Sequence, residues 1–431
     1  VASLRIRKAK ALKGTLVPPP DKSITHRAVI LSSLANGRTQ IENPLLADDC
    51  MRTINAFRTL GVMIEIVNGV ALRIDGRPDG LLEAEDVLDL GNSGTTMRLM
   101  LGVLAGQEIY TVLSGDRSLR ARPMRRVTDP LTRMGAKISG RGNGDYAPLT
   151  IIGSSHLKPI HWELPMPSAQ VKSAILLAGL FADGVTSISE PSPSRDHTER
   201  MLPRFGVEIM RDGLKVSVSG PAELESTSLF RIPGDPSSAA FFIVCALLLP
   251  RSRLIVKDVC LNPTRVGMIN ALKRMGAKIE VEEVRELDGE IVGDLVVRSS
   301  ELKATTIEEE EIPGMIDEIP LIALAASFAD GRTSIQGARE LRVKESDRLK
   351  AIRRELGRLG AKIEELEDGL VIEGPSSLKG SRVNSWGDHR IAMMLAIAGL
   401  LSKGETLVED IDCIRISYPD FEKTIMELVD D

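Results

Sequence analysis

Aromatic residues make up only 3% of the 431-residue chain, and basic charge is also short: 55 Lys plus Arg face 60 Asp plus Glu, a net charge of −5. Nucleic-acid binding draws on stacking rings and a basic surface, so both shortages argue against a nucleic-acid partner. Cysteine is equally scarce. Cys50, Cys245, Cys260 and Cys413 stand far apart with no C-x-x-C pair, which argues against a disulfide framework or a zinc ribbon and fits a reducing cytoplasm. The longest apolar run, residues 239–249, falls well short of the roughly 20 residues that cross a bilayer and reads as a buried helix. With no signal-like opening segment either, a cytoplasmic protein without a membrane partner is the expectation. What remains is ordinary globular usage, 43% hydrophobic and 27% charged, in a chain long enough for two or three domains.

Self-similarity organises that length. An Ala/Leu-rich helix followed by a short β-branched strand recurs six times, from Ala28-Val29-Ile30-Leu31 to Thr39-Gln40-Ile41 in the first copy and from Ile391-Ala392-Met393-Met394 to Thr406-Leu407-Val408 in the last. A second, amphipathic helix follows in each copy and closes on a short turn: Leu60-Gly61-Val62, Met134-Gly135-Ala136, Phe205-Gly206-Val207, Met275-Gly276-Ala277 and Leu359-Gly360-Ala361. The glycine of that turn supplies a left-handed helix cap. The sixth copy keeps its helix near Phe421 to Leu428, and the sequence ends before a strand is expected. A period of about 72 residues suits a β-α-β-α-β-β unit rather than a solenoid.

The first helix of each copy is apolar nearly all round and should be buried, while the second carries charge on one face, as in Arg348-Leu349-Lys350-Ala351-Ile352-Arg353-Arg354-Glu355. The implied fold is α/β: a two-domain inside-out barrel of six repeats, helices inside and sheets outside. Pro18-Pro19-Pro20 and Pro233-Gly234-Asp235-Pro236 interrupt the pattern before copies one and four. Domains are therefore expected over 21–235 and over 1–20 plus 236–431, with the ligand in the cleft between them.

Small, capping or charged residues precede every buried helix: Asp21-Lys22-Ser23, Gly91-Asn92-Ser93-Gly94-Thr95, Ser168-Ala169-Gln170, Gly234-Asp235-Pro236-Ser237-Ser238, Ile316-Asp317-Glu318 and Gly387-Asp388-His389-Arg390. Six capped helices would account for them, yet helix starts also attract anions. Basic residues concentrate beside them in a chain that is acidic overall. Lys22, Arg27 and Arg98, the loop bearing Arg117, Arg120, Arg122, Arg125 and Arg126, and then Arg342, Lys344, Arg348 and Arg390 suggest a small, multiply anionic ligand. Nucleotide cofactors are disfavoured, since no Gly-Lys-Ser/Thr loop ending and no GxGxxG occurs. The five histidines lack metal-binding spacing, so no metal is expected.

Five motifs in order then carry a resemblance over essentially the whole chain: Asp21-Lys22-Ser23-Ile24-Thr25-His26-Arg27, Gly91-Asn92-Ser93-Gly94-Thr95-Thr96-Met97-Arg98, Arg122-Pro123-Met124, Arg342-Val343-Lys344-Glu345-Ser346-Asp347-Arg348 and Asp388-His389-Arg390-Ile391-Ala392-Met393. Together they resemble the 5-enolpyruvylshikimate-3-phosphate synthase family of enolpyruvyl transferases. The resemblance implies two inside-out domains that close on shikimate 3-phosphate and phosphoenolpyruvate, transfer the enolpyruvyl group through a non-covalent tetrahedral intermediate, and release phosphate without a cofactor. It also implies a place in aromatic amino-acid biosynthesis, a phosphoenolpyruvate pocket of the kind that the herbicide glyphosate targets in the family, and a monomer.

Carried over by position, the resemblance makes Lys22, Ser23, Arg27, Ser168, Ala169, Gln170, Arg195, Asp317 and Lys344 the shikimate 3-phosphate contacts. Lys22, Gly94, Arg122, Gln170, Arg348 and Arg390 become the phosphoenolpyruvate contacts, and Asp317, Glu345 and Lys22 the proton-transfer groups. The chain departs from the pattern where Ala169 replaces a second Ser of many relatives and Ile416 replaces a Lys. Two rivals share parts of this signature. UDP-N-acetylglucosamine enolpyruvyl transferase resembles Lys-Asn at its opening motif and uses a loop cysteine, where this chain has Lys22-Ser23 and no cysteine from Arg117 to Arg126. An RNA 3′-phosphate cyclase-like scaffold would share the repeat and bind nucleic acid.

Overall fold

The computed structural model describes residues 2–430. Each repeat contributes a helix pair: α1 (Lys22–Leu34) with α2 (Asp48–Thr59), α3 (Gly94–Ala105) with α4 (Arg125–Met134), α5 (Ala169–Gly179) with α6 (His197–Met201), α7 (Pro236–Leu248) with α8 (Gly267–Arg274), α9 (Ile319–Ala326) with α10 (Arg348–Arg358), and α11 (His389–Leu401) with α12 (Phe421–Leu428). The first helix of each pair is the buried one. All thirteen residues of α11 are covered, and so is every residue of α9. In most of the second helices only one face is covered, as in α10, where Leu349, Ala351, Ile352 and Leu356 turn inward, while the short α6 is buried at every residue but Arg200.

Helix starts and stops follow local chemistry. Asp21, Ser93, Ser168, Asp235 and Asp388 each accept a backbone N–H of the helix they precede. Glu318, before α9, makes no such cap, and that helix opens on a proline in its first turn instead. The glycines that close the second helices have left-handed backbones, with φ of +88° at Gly61 and +103° at Gly360.

By packing, the chain divides into two compact units. The first comprises Pro20–Ile232 with Leu287–Glu290. It carries three four-stranded sheets, in each of which one lateral strand runs parallel to its neighbour and the remaining pairs are antiparallel. Leu229–Arg231 lies beside Arg38–Glu42, so the end of the third repeat closes onto the first. Strands bury alternate residues: Thr39 and Ile41 point into the core while Arg38 and Gln40 face outward. Inside, α3 and α5 approach so closely that a Cβ on Gly102 would stand 2.3 Å from the Ala174 carbonyl oxygen.

The second unit comprises the chain start to Pro19, Pro233–Glu286, and Ile291 onward. Its core gathers the rings of Phe241, Phe242, Tyr418 and Phe421 around the apolar faces of α7, α9 and α11. Two of its sheets take strands from the beginning of the chain. Ala11–Leu16 runs parallel to the start of Arg253–Cys260, and Ser3–Arg7 pairs antiparallel with Glu405–Glu409.

One expectation is corrected here. The sixth repeat does not stop at its helix: α12 leads into Val429–Asp430, which pairs Leu12 with Val429 and Ala11 with Asp430 and so covers the beginning of an otherwise open strand edge. Residues 287–290 group with the first unit although they lie in the C-terminal half of the sequence. Glu290 there is buried with an oxygen 2.7 Å from His197 Nδ1, and Asp288 accepts from the Arg204 guanidinium and the Arg231 amide. Among the described residues no helix is long and apolar enough to cross a membrane.

Candidate active site

In the first unit the buried helix starts carry most of the expected residues. The Asp21 carboxylate accepts the Ile24 amide at 2.9 Å and fixes the first turn of α1, which bears Lys22 and Ser23. Lys22 Nζ lies 2.7 Å from Asp49 Oδ2 in the first turn of α2, with both side chains largely covered. Burial alone would push the Asp49 carboxyl up, but the Lys22 charge together with hydrogen bonds from Lys22 and Ser93 outweighs it and holds the group well below the usual carboxylate range. Next to this pair, burial lowers His26 to about 4, against the pull of Asp49, so the imidazole is neutral at pH 7. Its Nδ1 lies 2.7 Å from Thr53 Oγ1.

One turn further along α1, the buried Arg27 donates to Thr198 Oγ1 and Ser173 Oγ at 2.7 Å each and to the Ser23 carbonyl at 3.0 Å. The α3 start gathers a second group. Arg122 donates to Asn92 Oδ1 at 2.8 Å, Arg98 donates to Gln170 Oε1 at 2.7 Å, and Gln170 in turn donates to Thr95 Oγ1 at 2.9 Å. Both guanidinium groups stand over Gly94, where a Cβ would lie 2.9 Å from Nη1 of each. Gly94 is therefore needed for close approach and not for a left-handed turn; the positive φ in this loop, +53°, belongs to Gly91. Ser168 caps α5, Ala169 and Gln170 form its first turn, and Arg195 is partly exposed in the loop before α6.

In the second unit one arginine organises the acidic residues. Arg348, the first residue of α10 and 1% exposed, reaches Asp388 at 2.7 Å, Glu345 at 2.6 Å and Asp317 at 3.2 Å. Burial works against its charge, yet Asp388, Glu345 and Asp317 raise its proton affinity above that of free arginine. Arg390 approaches the other oxygen of Asp317 at 3.4 Å, so two guanidinium groups flank that carboxylate. Beside them, burial lowers the Lys344 ammonium pKa despite the charges of Asp317 and Glu345, with Arg348 acting in the same direction as burial. Ser237, on the first turn of α7, donates to Glu318.

Not every arginine expected near the helix starts belongs there. Arg342 is tied to Asp347, Glu365 and the carbonyls of Leu366 and Glu367. Arg117 and Arg120 are exposed, and Arg125 bonds the Gly142 carbonyl. Arg415 is exposed beside the partly buried Ile416. Asp49, Asn92 and Asp388 were not picked out from sequence as partners. The one available signal was the Asp48-Asp49 pair opening α2, which reads equally well as helix-dipole chemistry.

A sequence profile for EPSP synthase (3-phosphoshikimate 1-carboxyvinyltransferase) matches residues 6–425. The chain belongs to that family. It is 54% identical over 427 residues to the 3-phosphoshikimate 1-carboxyvinyltransferase of Desulforudis audaxviator, covering 99% of each chain. It is 54% identical over 418 residues to that of Gloeobacter violaceus, covering 96% of each. Among solved structures, EPSP synthase from Acinetobacter baumannii superposes with a TM-score of 0.88 at 40% identity over 99% of this chain and 98% of that one. The two-unit α/β fold is thus the fold of that family, and the protein is a transferase that moves the enolpyruvyl group of phosphoenolpyruvate to shikimate 3-phosphate on the route to aromatic amino acids.

Proposed function

We propose that the residues gathered in the two units divide the reaction between recognition and proton transfer. Ser23, Arg27, Ser168, Ala169, Gln170, Arg195 and Lys344 take the phosphate, carboxylate and hydroxyls of shikimate 3-phosphate. Lys22, Gly94, Arg122, Gln170, Arg348 and Arg390 take phosphoenolpyruvate. Each substrate brings a carboxylate and a phosphate, and forked guanidinium groups match both. The observation that carries this reading is the Asp317 carboxylate between Arg348 at 3.2 Å and Arg390 at 3.4 Å: a fixed base beside cations able to hold an anionic donor.

The 5-hydroxyl is a weak nucleophile and needs its proton removed as its oxygen attacks C2 of the donor. Asp317 accepts that proton. C3 of the donor gains a proton from Glu345 or Lys22, and the product of this addition is a tetrahedral ketal held without a covalent link to the protein. Return of a C3 proton to the group that supplied it, Glu345 or Lys22, as the C2–O bond to phosphate breaks restores the double bond and releases inorganic phosphate. Lys22 is held beside this chemistry by its 2.7 Å contact with Asp49.

Phosphate release from phosphoenolpyruvate should depend on shikimate 3-phosphate and not on UDP-N-acetylglucosamine. Asp317→Ala should lower turnover by roughly 10²-fold or more with a smaller change in acceptor affinity, as loss of a general base does. Unchanged turnover with weakened acceptor binding would remove Asp317 from that role.

A further inference from the structure

Lys172 lies on α5 one turn beyond Ser168 and is 2% exposed. Its Nζ stands 2.6 Å from the largely covered Glu190 side chain, 2.8 Å from the buried Glu199 and 3.5 Å from the Ser194 carbonyl. Burial opposes the ammonium charge, but Glu199 and Glu190 outweigh it and raise its proton affinity. With one cation and two carboxylates, the trio has more acceptor than donor capacity: Glu199 Oε2 is buried without a hydrogen-bond partner among the described residues. An arrangement selected for stability alone would do at least as well with apolar side chains, since buried ion pairs recover little net free energy.

What the trio does hold is a loop. Glu190 Oε1 accepts the Ser194 amide at 3.3 Å, and its Oε2 accepts the Ser194 hydroxyl at 2.6 Å. Arg195 follows. Immediately after it, the Asp196 carboxylate accepts both contacts of Arg200 Nε at 2.9 Å, and His197 Nδ1 lies 2.7 Å from Glu290. Arg195 is thus a partly exposed cation between two buried anchors. The next residue of α5 extends the linkage: Ser173 Oγ accepts from Arg27 and lies 2.7 Å from Thr198 Oγ1.

We propose that Lys172, Glu190 and Ser194 form a positioning device for Arg195, fixing where its guanidinium is presented to shikimate 3-phosphate while touching neither substrate. The proposal rests on the reading of Arg195 as an acceptor contact. Ser194→Ala and Glu190→Gln should each raise KM for shikimate 3-phosphate about tenfold, the size of one weakened hydrogen bond to a charged group, with kcat and KM for phosphoenolpyruvate within about twofold. Lys172→Arg, which keeps the charge, should lie closer to the parent protein than Lys172→Met.

The deciding measurement is the double variant. If the device acts through Arg195, Ser194→Ala combined with Arg195→Ala should be no worse than Arg195→Ala alone, to within about twofold. Multiplying losses would overturn the proposal. So would unchanged acceptor KM in Ser194→Ala and Glu190→Gln while Arg195→Ala raises it, which leaves the reading of Arg195 standing. Unchanged KM in Arg195→Ala would remove that reading and the proposal with it. Thermal melting of Ser194→Ala within a few degrees of the parent keeps these comparisons clear of unfolding.

Discussion

Replacing Arg348 with methionine would keep most of the side-chain volume and remove the cation shared by Asp317, Glu345 and Asp388. These three carboxylates lie 3.2, 2.6 and 2.7 Å from it, and Asp388 is fully buried. Taking one partner out of a buried ionic cluster costs about 3–5 kcal/mol, because the remaining charges have nowhere to go. For a unit of 150–250 residues each kcal/mol is about 2–4 °C, so the lower melting transition should fall by roughly 6–20 °C at pH 7. The variant should also respond to acid. Without the guanidinium, burial and mutual repulsion raise the folded-state pKa values of the carboxyl groups above their unfolded values near 4. The penalty then grows as pH rises past the unfolded values and recedes as pH falls toward them, so the gap to the parent should narrow between pH 7 and pH 5. Arg348→Lys supplies a point charge without the fork and should fall between the two. Calorimetry of all three proteins at both pH values tests this. A methionine variant melting within about 2 °C of the parent at pH 7, or a gap unaffected by acid, would refute the view that Arg348 holds these carboxylates together.

His26 stays neutral because burial lowers it from 6.5 to about 4. Its contribution to stability, about 3 kcal/mol, should be intact above pH 6.5 and lost as pH falls from 6.5 to 4, where the unfolded chain takes a proton that the folded one refuses. An imidazole resonance titrating near 6.5 in the folded protein would contradict it. Gly94→Ala places a methyl 2.9 Å from the guanidinium ends of both Arg98 and Arg122. Both are flexible tips, so melting should shift little, while KM for phosphoenolpyruvate rises and inhibition by glyphosate weakens further; equal losses for both ligands with a lowered melting point would overturn this. Asp49→Asn removes the counter-charge of Lys22 and should lower kcat/KM by about tenfold, as for a lost hydrogen bond between charged groups, and an unchanged profile would detach Asp49 from the site.

The helix starts were legible because their causes are local. A capping Asp or Ser followed by an apolar run specifies both the first turn and which side chains stand on it, so Lys22, Gly94 and Gln170 could be placed from sequence. Partnerships across elements were not. Asp49 meets Lys22 only because α2 packs on α1, and nothing near Asp49 announces that. Arg342 and Arg348 occupy the same motif and carry the same charge. Arg348 opens α10 facing the core, whereas Arg342 lies in the preceding 3-10 turn and is taken up by Glu365 on a neighbouring strand. Residues 287–290 escaped for a similar reason: burial of Glu290 against His197 depends on a contact between residues 93 apart.

The chain start has a consequence for biosynthesis. Strands Ser3–Arg7 and Ala11–Leu16 leave the ribosome long before their partners at Glu405–Glu409 and Val429–Asp430 are made. At 5–20 residues per second, these opening strands wait on the order of tens of seconds for their neighbours. Pro20–Ile232 can meanwhile assemble most of the first unit, lacking only Leu287–Glu290. Vectorial synthesis therefore imposes an order: the first unit matures early, and the second remains unfinished until Glu405–Glu409 and Val429–Asp430 have been made. Nascent chains released before residue 405 should leave a resident first unit and a protease-sensitive remainder, with both opening strands cut away while the interior of Pro20–Ile232 survives.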